Sequence, residues 1–296
     1  MKASILIVSR NRKNELRKTL LILKNYINLD CCEILVFLDG CTDDSWSLKK
    51  VFPWVNWLGS QETLGASKAR NILFKNAKGK IFIGFDDDAH PLHSDFIEIS
   101  QALFDENPGI GIIAYKEVKG VFDSYETIPK DDLLEKKDFY VNDFLGCGFA
   151  IKKNVYNKTR GFPLWIDIYG EEMCVALETL ELGYDILYTH KVMVNHRVDM
   201  KLRKSEGANY YRFGKQLKNT SFFYLVYYPF PMVLQKLGKL YFHNFKKYGL
   251  KNNIFFKEYI SAFWQMCKNM RMVMKYRRPI SKKTLDIFNN LPKPYY

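Results

Sequence analysis

The apolar run Ile81-Phe82-Ile83-Gly84-Phe85 ends in three consecutive carboxylates, Asp86-Asp87-Asp88. A short continuous apolar run marks a strand buried on both faces, the usual state of a strand in a helix-covered parallel sheet. Three adjacent acids repel one another and need a cation or solvent to offset their charge. Ligands of open α/β sheets bind at the carboxyl ends of strands. Hard divalent cations there are held by one or two carboxylates together with substrate phosphates. The same triplet, followed by Ala89-His90-Pro91, reads equally as a solvated acidic turn.

The flanking residues repeat a strand–helix alternation. Ile5–Val8 is a short apolar run, and Leu16, Leu20, Leu23 and Ile27 then form a helical stripe. Glu33–Leu38 is the next strand, ending at Asp39-Gly40, after which Asp43-Asp44-Ser45 has the composition of an N-cap for a short helix through Val51. A helix is predicted from Ala66 to Lys78, stopped by Gly79 just before the Ile81 strand. This order implies a largely parallel sheet with helices on its faces. It also puts Asp39 and Asp86–Asp88 along one sheet edge.

Further along, a helix over Asp95–Phe104 and a strand over Ile110–Tyr115 precede a polar loop or lid, Asp123–Asp138. Phe144–Ile151 is apolar, and its Gly146 and Gly148 would let a ligand approach the backbone closely. Gly170-Glu171-Glu172 opens a helix that Gly183 stops, and Ile186–Tyr188 with Val192–Val194 read as a last strand pair ending at His196.

Charge divides the chain in two. Residues 1–200 hold 25 Lys and Arg against 29 Asp and Glu, whereas residues 201–296 hold 20 against three. The basic part mixes Lys and Arg with Tyr, Phe and Met at helical spacing, which suits a nucleic acid, an anionic membrane or an acidic polymer. Its most apolar segment, Ser221–Leu234, is too short and too interrupted by Pro229 and Pro231 to span a bilayer. Phe255–Met274, with Tyr259, Phe263, Met266 and Met270 on one face, fits either a basic amphipathic helix at a membrane interface or a helix packed into a core. No signal-peptide pattern follows Met1, and the six cysteines lack metal-finger spacing, so reduced thiols in a cytoplasmic protein are expected.

Taken in order, these motifs resemble the inverting family 2 glycosyltransferases of the GT-A fold. The resemblance covers about residues 3–200. Ile5–Arg12 is similar to the opening strand and loop, with Val8 where the family usually has proline. Glu33–Ser45 resembles the second strand with its Asp-Gly-Ser-Thr-Asp loop, Leu64–Asn71 the Gly-x-x-x-Ala-Arg-Asn segment, and Asp86-Asp87-Asp88 the Asp-x-Asp signature. An isolated Asp-x-Asp occurs widely; four motifs in order on alternating elements are far more specific. The resemblance implies a Rossmann-like α/β domain over residues 1–200, with a mostly parallel central sheet and helices on both faces. A basic helical region over 201–296 would follow it.

The resemblance further implies donor contacts from Ser9, Arg10, Asn11, Asp39, Arg70, Asp86 and Asp87, and a Mn²⁺ or Mg²⁺ site at Asp86 and Asp88, with His196 joining it in some relatives. Acceptor contacts fall to Gly146, Cys147, Gly148, Trp165 and Asp167, the last two reading equally as packing and loop residues. Glu172 stands where the family's base is Asp, with Glu171 the second candidate; alone, such acids would simply stabilise a helix N-terminus. The family's frequent Arg two turns on is Glu178 here. The implied partners are a nucleotide sugar, UDP-linked by resemblance, a glycan or lipid-linked acceptor, and an anionic membrane at the inner face of the cell membrane. A nucleotidyltransferase would carry a Gly-rich loop after the first strand, and Ser9–Lys13 has no glycine. A nucleic-acid-binding protein would extend its basic patch into the first part, which is acidic, so no nucleic acid is expected. Donor sugar, linkage and oligomeric state are not specified by these residues.

Overall fold

A computed structural model describes residues 1–122, 125–134, 136–198 and 209–295. Strand β1 (Ala3–Ser9) leads through helix α1 (Lys13–Tyr26) to β2 (Cys32–Asp39). A short 3-10 turn over Asp44–Ser47 and α2 (Leu48–Val51) lead to β3 (Asn56–Ser60), and α3 (Ala66–Asn76) returns the chain to β4 (Ile81–Asp86). These four strands are parallel in the order β3-β2-β1-β4. The winding direction therefore reverses between β1 and β4, and a crevice opens at their carboxyl ends.

Side chains alternate across the sheet as the strand period of two requires. Leu6, Leu35, Phe37 and Phe82 face one core with α3, while Ile5, Ile7, Ile34, Val36, Ile81 and Ile83 face a second core with α1. Because both faces are covered, all eight residues of β2 are buried, which is why these strands are legible as unbroken apolar runs.

The remaining strands are β5 (Ala89–Pro91), β6 (Ile110–Lys119), β7 (Phe139–Tyr140), β8 (Gly148–Lys152) and β9 (Asp185–His196). β8 joins β4 and β6 antiparallel, β9 lies parallel to β6, and β5 and β7 pair antiparallel with β9. Between them lie α4 (Phe96–Glu106), α5 (Lys130–Leu133), α6 (Lys153–Tyr156) and α7 (Glu171–Glu181). Three departures from expectation bear on the site. β3 is an added edge strand whose half-exposed residues show no apolar run. Residues 89–91, expected as part of a turn, form β5. The expected strand pair before His196 is one strand, β9, bulged opposite Tyr115 and Lys116. In the expected 123–138 loop, Tyr125–Thr127 and α5 are helical turns, and Asp123, Ser124 and Glu135 lie outside the described residues.

The basic region forms α8 (Tyr210–Tyr227), α9 (Met232–Asn244), α10 (Asn253–Met274) and α11 (Lys282–Asn290). Phe222, Phe223 and Val226 of α8 and Leu285 and Phe288 of α11 share the core cluster that contains α3 and α7. Among the described residues, no helix is long and apolar enough to cross a membrane.

Candidate active site

Three pieces of backbone converge on the crevice. The acidic triplet follows β4. The 143–147 loop runs into β8, whose Gly148 pairs with Phe85. His196 ends β9, and it is β5 that brings this end home, because Ala89, directly after the triplet, pairs with His196. Suitable oxygen and nitrogen atoms of Asp86, Asp88 and His196 thus lie within 4.8 Å of one another.

His196 presents Nε2 to Asp88 Oδ1 at 3.3 Å, while its Nδ1 meets Glu117 Oε1 at 2.5 Å. That carboxylate fixes the orientation of the ring, as partners behind metal-binding histidines do. Against the desolvation of burial, Asp88, Cys147 and Glu117 raise the imidazole to about 12. Asp88, despite its own burial, is held well below the usual carboxylate range by His196 and Arg12. Arg12 bridges the acids, with Nη1 3.2 Å from Asp87 and Nη2 2.7 Å from Asp88. Asp88 Oδ1 is buried and faces His196 Nε2 without a well-aligned hydrogen bond, an oxygen that a cation between the two could engage. The two carboxylates and one imidazole form a donor set that suits a divalent metal.

Asp87 points elsewhere. It is buried, accepts the Ser9 hydroxyl at 2.7 Å, and its carbonyl accepts from Thr19 at 2.8 Å. Burial pushes its carboxyl up to about 7, against the opposing pull of Arg12 and Ser9. Asp87 and Ser9, expected as donor contacts, therefore lock β1 and α1 to the triplet.

A second constellation is centred on Arg70 of α3. Its Nη2 lies 2.8 Å from Asp86, and its Nη1 lies 3.2 Å from Glu171 and 2.6 Å from Glu172. Arg70 was expected beside the nucleotide, yet its guanidinium is enclosed by three carboxylates and ties the metal side to the candidate base. Tyr169 and Gly170 both adopt positive φ, 71° and 97°, immediately before α7. This sharp entry points the first turn of the helix, with Glu171 and Glu172, at Arg70. Glu171 is buried, with Oε2 unpartnered, and burial plus the neighbouring Glu172 raise it to about 8. Glu172 is the more exposed of the two. A Cβ on Gly146 would stand 2.5 Å from both Arg70 Nη2 and Glu172 Oε1, so this position must be glycine for the pair to meet.

The other expected contacts divide. Arg10 is exposed at the mouth, and Asn11 is held in the left-handed region (φ 54°) by bonds to Thr42, whose N–H it accepts at 2.7 Å. Asp39 is buried and accepts the Leu64 and Gly65 N–H groups at 2.6 and 3.0 Å. It fixes the loop ahead of α3, and both its oxygens are engaged. A hollow of 440 Å³ lined by Asn11, Arg12, Lys13, Asp43 and Asp44 opens beside these loops. A larger one, 710 Å³ along α11, lies away from the carboxylates and is set aside on chemical grounds.

Among the acceptor candidates, Trp165 is a core residue wedged against Phe222 and Tyr227 of α8. Gly148 is a packing glycine whose Cβ would strike Val194. Cys147 is buried on the metal side, grouped with Glu117 and His196. Asp167 is ion-paired with Lys215 and Lys218 of α8. Only Gly146 of these five borders the candidate base. Arg12, in the loop after β1, enters the site without having been among the expected residues. Glu117 and Asp143 are likewise unexpected; Asp143 is raised to about 7 by burial and the charge of Glu172. Those two sit in segments without a motif, so spacing offered no signal. Glu178, where the family's Arg was missing, accepts from Arg160 Nε and the Tyr227 hydroxyl, both at 2.7 Å, and joins α7 to α8.

A sheet wound about a β1–β4 crevice, with acids and a histidine at its carboxyl edge, has the layout of a ligand-binding α/β enzyme. Residues 4–160 match the family model described as Glycosyl transferase family 2, and the chain belongs to that family. It is a glycosyltransferase of the GT-A fold, which sets aside the nucleotidyltransferase reading. The fold is similar to that of GalNAc-T7, solved with UDP, GalNAc and Mn²⁺, at TM-score 0.53 and 16% identity, covering 67% of this chain and 44% of that one. The chain thus spans less than half of GalNAc-T7. S. aureus TarS 1-349 in complex with UDP-GlcNAc gives TM-score 0.59 and 15% identity over 94% of this chain and 84% of that chain. Mannosyltransferase PcManGT from Pyrobaculum calidifontis, in complex with GDP-Man and Mn²⁺, gives 0.57 and 15% over 97% and 78%. No curated protein sequence matches the chain.

Proposed function

We propose that this enzyme moves a sugar from a nucleoside-diphosphate sugar to a hydroxyl of a glycan or lipid-linked glycan, with inversion at the anomeric carbon, in the synthesis of a cell-surface polysaccharide. The observation that carries the reading is the meeting of Asp86, Asp88 and His196 within 4.8 Å, joined through Arg70 to Glu172. Solved structures of the same fold with UDP-GlcNAc, or with GDP-Man and Mn²⁺, support a nucleotide-sugar donor and a divalent ion.

Asp86, Asp88 and His196 would hold Mn²⁺ or Mg²⁺, and the Asp88 oxygen that faces His196 Nε2 fits that role. Such an ion, when bound, supplies Lewis-acid stabilisation to the leaving nucleoside diphosphate. To ligate that ion, His196 would present a neutral Nε2. Glu172 takes the proton of the acceptor hydroxyl as that oxygen attacks the anomeric carbon. Arg70 keeps the Glu172 carboxylate in place. Buried Glu171, its carboxyl raised by burial and by Glu172, completes the shell around Arg70. Attack opposite the leaving group gives inversion. An acceptor carried on a lipid would present its hydroxyl at a membrane surface.

The test is binding and slow hydrolysis across a panel of nucleotide sugars, with Mn²⁺, Mg²⁺ or EDTA, for the wild type and Asp88→Asn. Metal-dependent binding of a donor, lost in the variant, is expected. Folded wild-type protein that binds no donor with either metal would overturn the reading.

A further inference from the structure

We propose that the outer face of the α9–α10 pair binds an anionic phospholipid membrane. The inner faces of these helices are already engaged. Phe255 of α10 packs on Tyr210 and Phe213 of α8, Ala262 and Met266 are buried, and Tyr241 of α9 meets Tyr259 and Phe263 of α10. Away from α8, Phe256, Ile260 and Trp264 of α10 recur at i, i+4 and i+8, and all are exposed. Trp264 is 66% exposed, Phe242 on α9 is 61% and Leu250 between the helices is 67%. Single exposed apolar residues are ordinary, whereas a continuous exposed stripe marks an interaction surface. The face named from sequence, Tyr259 to Met270, is therefore divided: Met266 enters the core, and the outer stripe is a different one.

Charge identifies the partner. Residues 232–275 contain nine Lys and Arg against a single acid, Glu258. Glu258 faces inward, where a Cβ on Gly214 of α8 would collide with it. Lysine also lies beside the exposed apolar residues, with Lys246 4.4 Å over the Phe242 ring. Lysine stems reach phosphate headgroups while rings and aliphatic chains enter the acyl boundary, the geometry of a helix lying in a membrane interface. Aliphatic Ile260 and Leu250 gain nothing from a nucleic acid. No helix among the described residues is long and apolar enough to span, so the pair lies on the surface. α8 separates this face from Asp167 and the entry to α7. The entry to α7 then lies beyond both α10 and α8, about two helix layers, roughly 20 Å, from the lipid. This last placement, at a lipid-linked acceptor, rests on the function proposed above; membrane binding itself does not.

The experiment is co-sedimentation of the full chain with phosphatidylcholine vesicles, with and without phosphatidylglycerol. It compares wild type, Trp264→Glu and Phe256→Glu, and adds a binding assay for a nucleotide-sugar donor. Wild type is expected to pellet with the anionic vesicles alone, less so at high salt, with Trp264 fluorescence shifted to the blue. Each variant should bind those vesicles about tenfold or more weakly and keep wild-type donor binding, which also shows that it is folded. Wild type that ignores anionic vesicles, or variants that bind them as well as wild type does, would overturn the proposal. So would a concentration-dependent dimer that Trp264→Glu dissociates while vesicles are ignored; the face would then belong to a second copy. Absence of donor binding in all three proteins, with vesicle binding as expected, would count against the transferase reading alone.

Discussion

The guanidinium of Arg70 faces Asp86, Glu171 and Glu172 together, and its own surroundings are buried. Replacing it by methionine leaves these acids without a counter-charge in a poorly solvated place. Breaking a buried pair from one side costs about 3–5 kcal/mol, so denaturant unfolding of Arg70→Met should show a loss of that size. Gly146→Ala acts on the same contact from outside. Its methyl group would displace Arg70 from Glu172, at a cost of about 1–3 kcal/mol for overpacking. Transfer should fall far more than donor affinity, as parallel turnover and donor-binding measurements would reveal. Glu171 adds a pH dependence. Burial and Glu172 raise it to about 8, so between the ordinary carboxylate range and pH 8 the folded chain holds a proton that the unfolded chain lacks. Stability then declines as pH rises through that window. Unfolding of Glu171→Gln followed across pH should show a flatter slope, and an unchanged slope would refute the assignment. The identities of these residues were legible from motif order. Their mutual engagement was not, because residues 70, 86, 146 and 172 meet only through the fold.

At the scale of elements, α8 steadies the catalytic entrance. Asn219 is buried and donates from Nδ2 to the carbonyls of Ile168 and Tyr169, at 2.6 and 3.0 Å. Tyr169 is the first of the left-handed pair ahead of α7, and Ile168 stands just before it. Asn219→Ala leaves two carbonyls without a donor, a cost of about 1–3 kcal/mol. The larger effect expected is a lowered kcat with donor KM maintained, since the Asn219 bonds go to the entry of α7, beside the candidate base. Equal loss in both parameters would indicate a general structural role. The long helices and buried strands of this fold could be read from periodicity, because each has a continuous apolar face. β3 and β5 could not. β3 is a half-exposed edge strand, and β5 is three residues whose only partner, β9, lies about a hundred positions away. The short strand is also what delivers His196 to Asp88.

The whole molecule closes on itself. Residues past α10 return to the sheet: Asn142 donates its N–H to Pro292 and its Nδ2 to Phe288, while Tyr295 packs on Phe139 and Tyr188. The division at residue 200 expected from charge is thus crossed by a shared core. Removing residues 279–296 would strip Ile280, Leu285 and Phe288 from it. At about 2–5 kcal/mol for each large buried side chain lost, the shortened chain should unfold at much lower denaturant or aggregate on expression. A cooperative transition at the wild-type midpoint would show the return to be dispensable.

Sequence alone determined the alternating βα order, the two-sided sheet and the acids at its edge, because burial on both faces writes itself as local apolar runs and stripes. It also determined the family, through four motifs in order. Tertiary structure decided which of those residues work together. Asp87 and Asp39 turn inward to backbone and hydroxyl partners, and Trp165 goes to the core. Arg12 and Glu117 enter the site from unremarked positions, and the basic tail divides between a core face and an outer one. Such choices depend on contacts between residues far apart in the chain, where charge and shape are matched in space and no periodicity records them.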